Sequence, residues 1–176
     1  MAYITVNNPI KGALGVIPNA GAPSAGTNAI HTITIGGTPT AGSFTLTFDG
    51  YTSSAITWSA TNATLLANVD AAVEAMPNIG TGGVVTADAT LSSGIGTFTL
   101  TSGGNLAKLA HNAFTVTSSL TGTSPTLAIA NGTPGVTATA RGCGVGTIVN
   151  DITNGKLYEN TGTALIPVWT VVGSQS

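Results

Sequence analysis

The chain has 176 residues, a formal net charge of −2 and only 6% charged side chains, against roughly 25% in an ordinary soluble domain. Its four basic residues, Lys11, Lys108, Arg141 and Lys156, are too scattered for the basic stripe that phosphate neutralisation needs, so no nucleic-acid partner is expected. Two histidines, one cysteine and six carboxylates lie apart in the sequence. No catalytic, metal-binding or cofactor-binding set is therefore expected, and Cys143 alone cannot close an internal disulfide.

Met1 to Pro9 has neither the basic nor the apolar region of a secretory signal. No stretch approaches the roughly 18–20 continuous apolar residues of a spanning helix, so no membrane partner is expected either. Within residues 1–27, Pro9, Pro18 and Pro23 with Gly12, Gly15, Gly21 and Gly26 break any regular element. Tyr3, Ile4, Val6, Ile10, Leu14, Val16 and Ile17 give this segment more apolar side chains than a solvated tail carries. It reads as an extended arm that orders on a neighbouring subunit, with those seven residues as candidate interface positions.

Residues 28–133 read as one β-rich α+β domain, an antiparallel, sandwich-like sheet with one packed helix. Ile33 and Ile35 alternate with Thr32 and Thr34, and Gly36-Gly37-Thr38-Pro39 predicts a turn. Phe44, Leu46 and Phe48 then alternate with Ser43, Thr45 and Thr47, the pattern of a half-buried strand. Asp49-Gly50 predicts a hairpin into a strand over about 52–58. Leu65, Leu66, Val69, Val73 and Met76 recur at helical spacing over about 62–76, with Thr61 or Asn62 as the cap and Asp70 and Glu74 on the wet side. Further strands are expected near 83–91, 95–101, 113–118 and 125–130. Gly42-Ser43-Phe44-Thr45-Leu46-Thr47 is echoed by Gly96-Thr97-Phe98-Thr99-Leu100-Thr101, either by coincidence or as two related layers of a sandwich.

Residues 134–146 read as a glycine-rich linker and 147–176 as a C-terminal β-hairpin module. Its hairpin turns at Thr153-Asn154-Gly155, and a closing strand begins near Pro167. Thirty residues cannot easily bury a core of their own, so the module is expected to pack on the main domain or on neighbouring chains.

The candidate chemical groups are sparse. His31 shares a strand face with Ile33 and Ile35 and reads as a satisfied or interfacial histidine; His111 reads as a solvated loop residue. Asp49, Asp88, Asp151 and Glu159 flank turns or strand ends, where carboxylates bond the backbone. Arg141-Gly142-Cys143-Gly144-Val145-Gly146 lacks the spacing of a phosphate loop and reads as a hinge. Tyr51, Trp58, Tyr158 and Trp169 are either core residues or exposed anchors for sugar or protein; Tyr158 and Trp169 join the candidate interface.

Two segments carry a resemblance. Ile33-Thr34-Ile35-Gly36-Gly37-Thr38-Pro39, Gly42 to Gly50 and the helix end Val73-Glu74-Ala75-Met76-Pro77-Asn78-Ile79-Gly80 resemble a module repeated in structural proteins of tailed bacteriophages. Gly146-Thr147-Ile148, Asp151, Asn154-Gly155-Lys156-Leu157-Tyr158, Asn160-Thr161-Gly162-Thr163 and Pro167-Val168-Trp169 are similar to a short tag on many phage virion proteins. The resemblance implies a non-enzymatic virion structural protein. At this size it implies a capsid decoration (cement) protein on the outer head surface, binding the major capsid protein, stabilising the lattice and self-associating as a trimer. The alternative it leaves open is a tail, fibre or head-fibre component that contacts the host surface or glycans.

Overall fold

The computed structural model describes residues 16–173. Tyr3, Ile4, Val6, Ile10 and Leu14 of the expected arm lie outside the described residues. Among the described residues, strands make up 47% and helical residues 10%, a mainly β, sandwich-like α+β fold.

The strands form two sheets. The larger contains β2 (Ile30–Phe48), β3 (Tyr51–Thr52), β4 (Ile56–Thr57), β5 (Val84–Asp88), β6 (Gly96–Ser102) and β7 (Thr115–Thr133). All its pairings are antiparallel, and β2 is its spine. One flank of β2 pairs with β6 over Ile30–Ile35 and with β4 and β3 over Ser43–Phe48; the other flank pairs with β7 along nearly its whole length. Helix α1 (Asn62–Glu74) packs Leu65, Val69, Ala72 and Val73 towards the sheet. There they meet Ile33, Ile35, Phe44, Leu46, Phe48, Phe98 and Leu100, all fully buried. The opposite face of these strands carries Thr32, Thr34, Thr45, Thr47, Thr97, Thr99 and Thr101. Threonine suits this position because its branched carbon favours the pleat and its hydroxyl suits water, so the sheet stays wet without charge.

The Gly36–Pro39 turn expected from the sequence does not form. β2 runs straight through it, with register shifts between Gly36 and Thr38 and between Pro39 and Ala41. These bulges absorb the glycines and the proline without ending the strand. Gly37 is required there: its φ is +73°, and a Cβ would collide with the carbonyl of Ser124. For the same reason the strands expected at 113–118 and 125–130 are two halves of one strand, β7, opposite those bulges. The echoed segments are corrected too. Both lie in the same sheet, the second half of β2 and β6, rather than in facing layers. The Asp49-Gly50 hairpin forms as expected, with positive φ at both residues (48° and 80°). Its return strand is split into the two short strands β3 and β4.

The smaller sheet has the order β1 (Val16–Asn19), β8 (Ile148–Asp151), β9 (Lys156–Asn160), β10 (Trp169–Val171). The expected C-terminal hairpin and closing strand are present. The N-terminal segment contributes a fourth strand, however, pairing parallel to β8 from Val16↔Ile148 to Asn19↔Asp151. Val16 and Ile17 therefore belong to this sheet and not to an arm.

The segment expected as a loose linker is tied down. Thr27 and Val136 exchange main-chain hydrogen bonds of 3.0 Å, and Thr139 N–H donates to the Ser24 carbonyl at 2.9 Å. Arg141 donates to the carbonyls of Ala107 and Asn105, so its guanidinium clamps the loop after the 3-10 turn Gly104–Leu106.

Candidate functional site

The one nucleophile–base geometry among the described residues lies where β2, β6 and the 107–114 loop meet. The Ser102 hydroxyl and His111 Nε2 are 2.7 Å apart, and His111 Nδ1 is 2.8 Å from the Asn112 carbonyl. That is the tautomer a general base would need, since Nδ1–H donates to the carbonyl and Nε2 accepts. Ser102, however, is 1% exposed, which shields the hydroxyl from a substrate. His111 is not the solvated residue expected: its ring meets Phe48 edge-on at 5.2 Å and lies 5.7 Å from His31. His31 is buried, with Nδ1 2.7 Å from the Asn131 side-chain oxygen and Nε2 without a partner. Burial is the main reason its pKa falls below the ordinary value; the Asn131 bond opposes this and the charge of His111 adds to it. Two rings and a serine hydroxyl thus complete an aromatic layer with Phe48 and Phe114, which stack at 4.6 Å. No group of three or more His, Cys, Asp or Glu side chains converges among the described residues.

Asp49 and Asp88 tie down loops. Asp49 accepts from Asn112 Nδ2 at 2.6 Å, and Asp88 accepts the Leu91 N–H at 2.7 Å. Asp70 and Glu74, expected on the wet side, are half-buried. Burial, with the Glu74 charge beside it, raises the Asp70 pKa against opposing bonds from Thr86. Asn62 does not cap α1. It donates to the Leu91 carbonyl and accepts from Gly94 N–H, pinning the loop before β6. Trp58 is a core-edge residue, its indole N–H donating to the Gly94 carbonyl at 3.0 Å.

The smaller sheet is where the candidate interface residues gather. Val16, Ile17, Tyr158 and Trp169 all lie in it, Val16 exposed and the other three half-buried. In the same strands and the loops that flank them, Val145 (72% exposed), Ile152 (62%), Ile166, Val168, Val171 and Val172 are large aliphatic side chains left at the surface. Within the same strands Val149 is the one fully buried apolar residue. The indole N–H of Trp169 is buried without an acceptor.

Two polar side chains do the work that a core would do. Asp151 is fully buried; one carboxylate oxygen accepts the N–H groups of Thr153 and Asn154, both at 3.0 Å, and the other accepts Asn154 Nδ2 at 2.8 Å. The Asn154 bonds lead in holding its pKa below the ordinary carboxylate value. Asn160, also fully buried, donates to the Cys143 and Gly144 carbonyls and accepts from the Gly162 and Val168 N–H groups at 2.9 and 3.0 Å. It ties the glycine loop at Cys143 to the approach of β10. The backbone bonds of Asp151 were expected from the Asp151-Ile152-Thr153-Asn154-Gly155 turn pattern. The Asn160 hub was missed.

No protein-family model matches the chain, and no curated protein sequence matches it. Among the described residues no helix is long and apolar enough to cross a membrane.

Proposed function

We propose that this chain is a non-enzymatic structural protein of a tailed-phage virion, a capsid decoration protein that docks on the major capsid protein at the outer head surface and stabilises the lattice. The observation that carries the reading is the smaller sheet. Its strands and flanking loops leave exposed aliphatic side chains at Val16, Val145, Ile152, Ile166, Val168 and Val171, with a single fully buried valine among the strand residues. Exposed aliphatic side chains concentrated in one small region of a chain suit a surface that a partner covers. The segment that builds most of this sheet is also the one similar to the phage virion tag, so surface and resemblance coincide on the same residues. The larger sheet supports the reading in a second way. Its threonine face and near-absence of charge suit a protein held on a scaffold better than one kept apart from its neighbours by charge.

The test is a cryo-EM map of purified virions with the chain located in it. Density repeated over the head lattice, with the smaller sheet against the capsid shell, is the expected result. Density confined to the tail or to a few projecting fibres would overturn it in favour of a host-contacting fibre component. As a sharper check, Ile152→Asp together with Val168→Asp is expected to empty the head positions while leaving the circular dichroism of the free protein unchanged.

A further inference from the structure

The outer flank of β7 has no main-chain partner among the described residues, although β7 is as long as the central strand it pairs with. Which of its groups face outward follows from the register. The Ala29 carbonyl accepts the Ser102 N–H, so alternation turns His31, Ile33 and Ile35 towards β6 and Thr32, Thr34 and Gly36 towards β7. Their partners Ala130, Ala128 and Thr126 face β2. The N–H and C=O groups of Leu127, Ile129 and Asn131 therefore point away from the sheet.

A long, flat edge normally carries a lysine, an inward charge or another protecting device. This one carries none over Thr126–Asn131: from Leu109 to Ala140 the chain contains no Asp, Glu, Lys or Arg. Pro125, which would block pairing for want of an N–H, stands just outside the six-residue stretch.

We propose that two copies of this chain pair antiparallel through Thr126–Asn131, with Ile129 facing Ile129 across a two-fold axis, to form one continuous sheet. The occupant is a second copy because the segment complements its own reverse. In this register Leu127 of each copy faces Asn131 of the other, and both pairs exchange two main-chain bonds, as does the central isoleucine pair. Ala128 faces Ala130, small side chains on the exposed face that let the strands close to ladder distance. The isoleucines meet on the side continuous with the core, where Leu127 and Ile129 are already partly buried. A charged partner would find no counter-charge on this edge, whereas a neutral copy meets no repulsion. Main-chain pairing of this kind needs little side-chain specificity. A self-paired strand closes as a dimer, which differs from the trimer that the phage resemblance implies. The inference stands apart from the capsid reading: a virion map decides location, and solution mass decides this pairing.

The experiment is sedimentation equilibrium of the full chain, with amide hydrogen exchange on the same samples. The expected mass is twice the 17.2 kDa of one chain, with slowed exchange at the Leu127, Ile129 and Asn131 amides. Ala128→Lys with Ala130→Lys sets lysines opposite one another across the axis. It is expected to weaken association by at least roughly tenfold and to return those three amides to fast exchange while the circular dichroism stays unchanged. Thr121→Lys, on the same strand outside the paired stretch, keeps the dimer. A wild-type monomer or trimer, or a dimer that survives the double lysine variant, would overturn the proposal. So would protection appearing jointly on β7 and on residues 2–6, which would make a neighbour's N-terminal segment the occupant.

Discussion

The larger sheet closes over four phenylalanines and a helix, while the smaller one closes over one valine, an aspartate and an asparagine. Both are sheets from the same chain, yet they are held by different forces. Apolar burial in the larger sheet is non-directional and accumulates with area, so its strands tolerate bulges, a split return strand and a proline. The smaller sheet relies on directional bonds that converge on Asp151 and Asn160, and each bond fixes a loop as well as an energy. The contrast shows how about thirty residues keep a defined shape without a core. It also shows the consequence, large aliphatic side chains left at the surface.

The chain's two tryptophans report on the two regions separately, Trp58 on the larger sheet and Trp169 on the smaller. The largest expected effect comes from Phe98→Ala, which empties a fully buried position between the sheet and α1. It should cost about 3–5 kcal/mol, read as a lower urea midpoint of the Trp58 fluorescence transition. Asn160→Ala removes the hub of the smaller sheet and leaves buried N–H and C=O groups unmatched. A loss of about 1–3 kcal/mol is expected, seen in the Trp169 transition with the Trp58 midpoint little changed. If both probes moved together in both variants, the two sheets would be one cooperative unit and the contrast would fail. Gly37→Ala should destabilise by at least about 1 kcal/mol, because the residue is left-handed and abuts the Ser124 carbonyl.

Proton linkage separates the regions more finely. The folded-state pKa of His31 lies below its ordinary 6.5, so below about pH 6.5 the unfolded chain binds protons that the folded chain resists. Stability therefore rises with pH in that window. Cooling the Trp58 melting temperature from pH 7 to pH 5 is the expected result, and His31→Gln should flatten the slope. Asp151 has the opposite assignment of charge: its folded-state pKa lies below 3.8. Its contribution is present above that value and lost as pH falls through the folded pKa. Acid should loosen the Trp169 signal in the wild type, and Asp151→Asn should remove that dependence.

Much of the larger sheet was legible because alternation of threonine with Ile, Leu or Phe needs only neighbouring residues to be read. The helix was legible for the same reason, as was the hairpin at Asp49-Gly50. What escaped was decided by distant partners. Gly36 to Pro39 looks like a turn until β7 lies alongside and holds the strand straight through two bulges. Val16 and Ile17 look like an arm until β8 offers a parallel edge. His111 lacks any local clue to its position, since Ser102 and Phe48 reach it only through the folded sheet. Within the smaller sheet the strands that carry Tyr158 and Trp169 were legible from the Asn154-Gly155 turn and the apolar run after Pro167. The Asn160 hub was not, because its partners Cys143, Gly162 and Val168 are brought together only by the loops it organises.

The order in which strands complete each sheet has a consequence for synthesis. Ile30 pairs with Thr133 and Val16 with Ile148, so the earliest segments of both sheets wait for the latest. A nascent chain can form the β2–β3 hairpin and α1 while still on the ribosome. One whole flank of β2 stays bare until β7 begins to emerge at Thr115 and is covered only when Thr133 follows, and β1 has no neighbour until β8 ends at Asp151. Such non-local closure makes folding slow and largely post-translational. A chain cut short before residue 115 would carry a 19-residue strand with one side open, a template for aggregation.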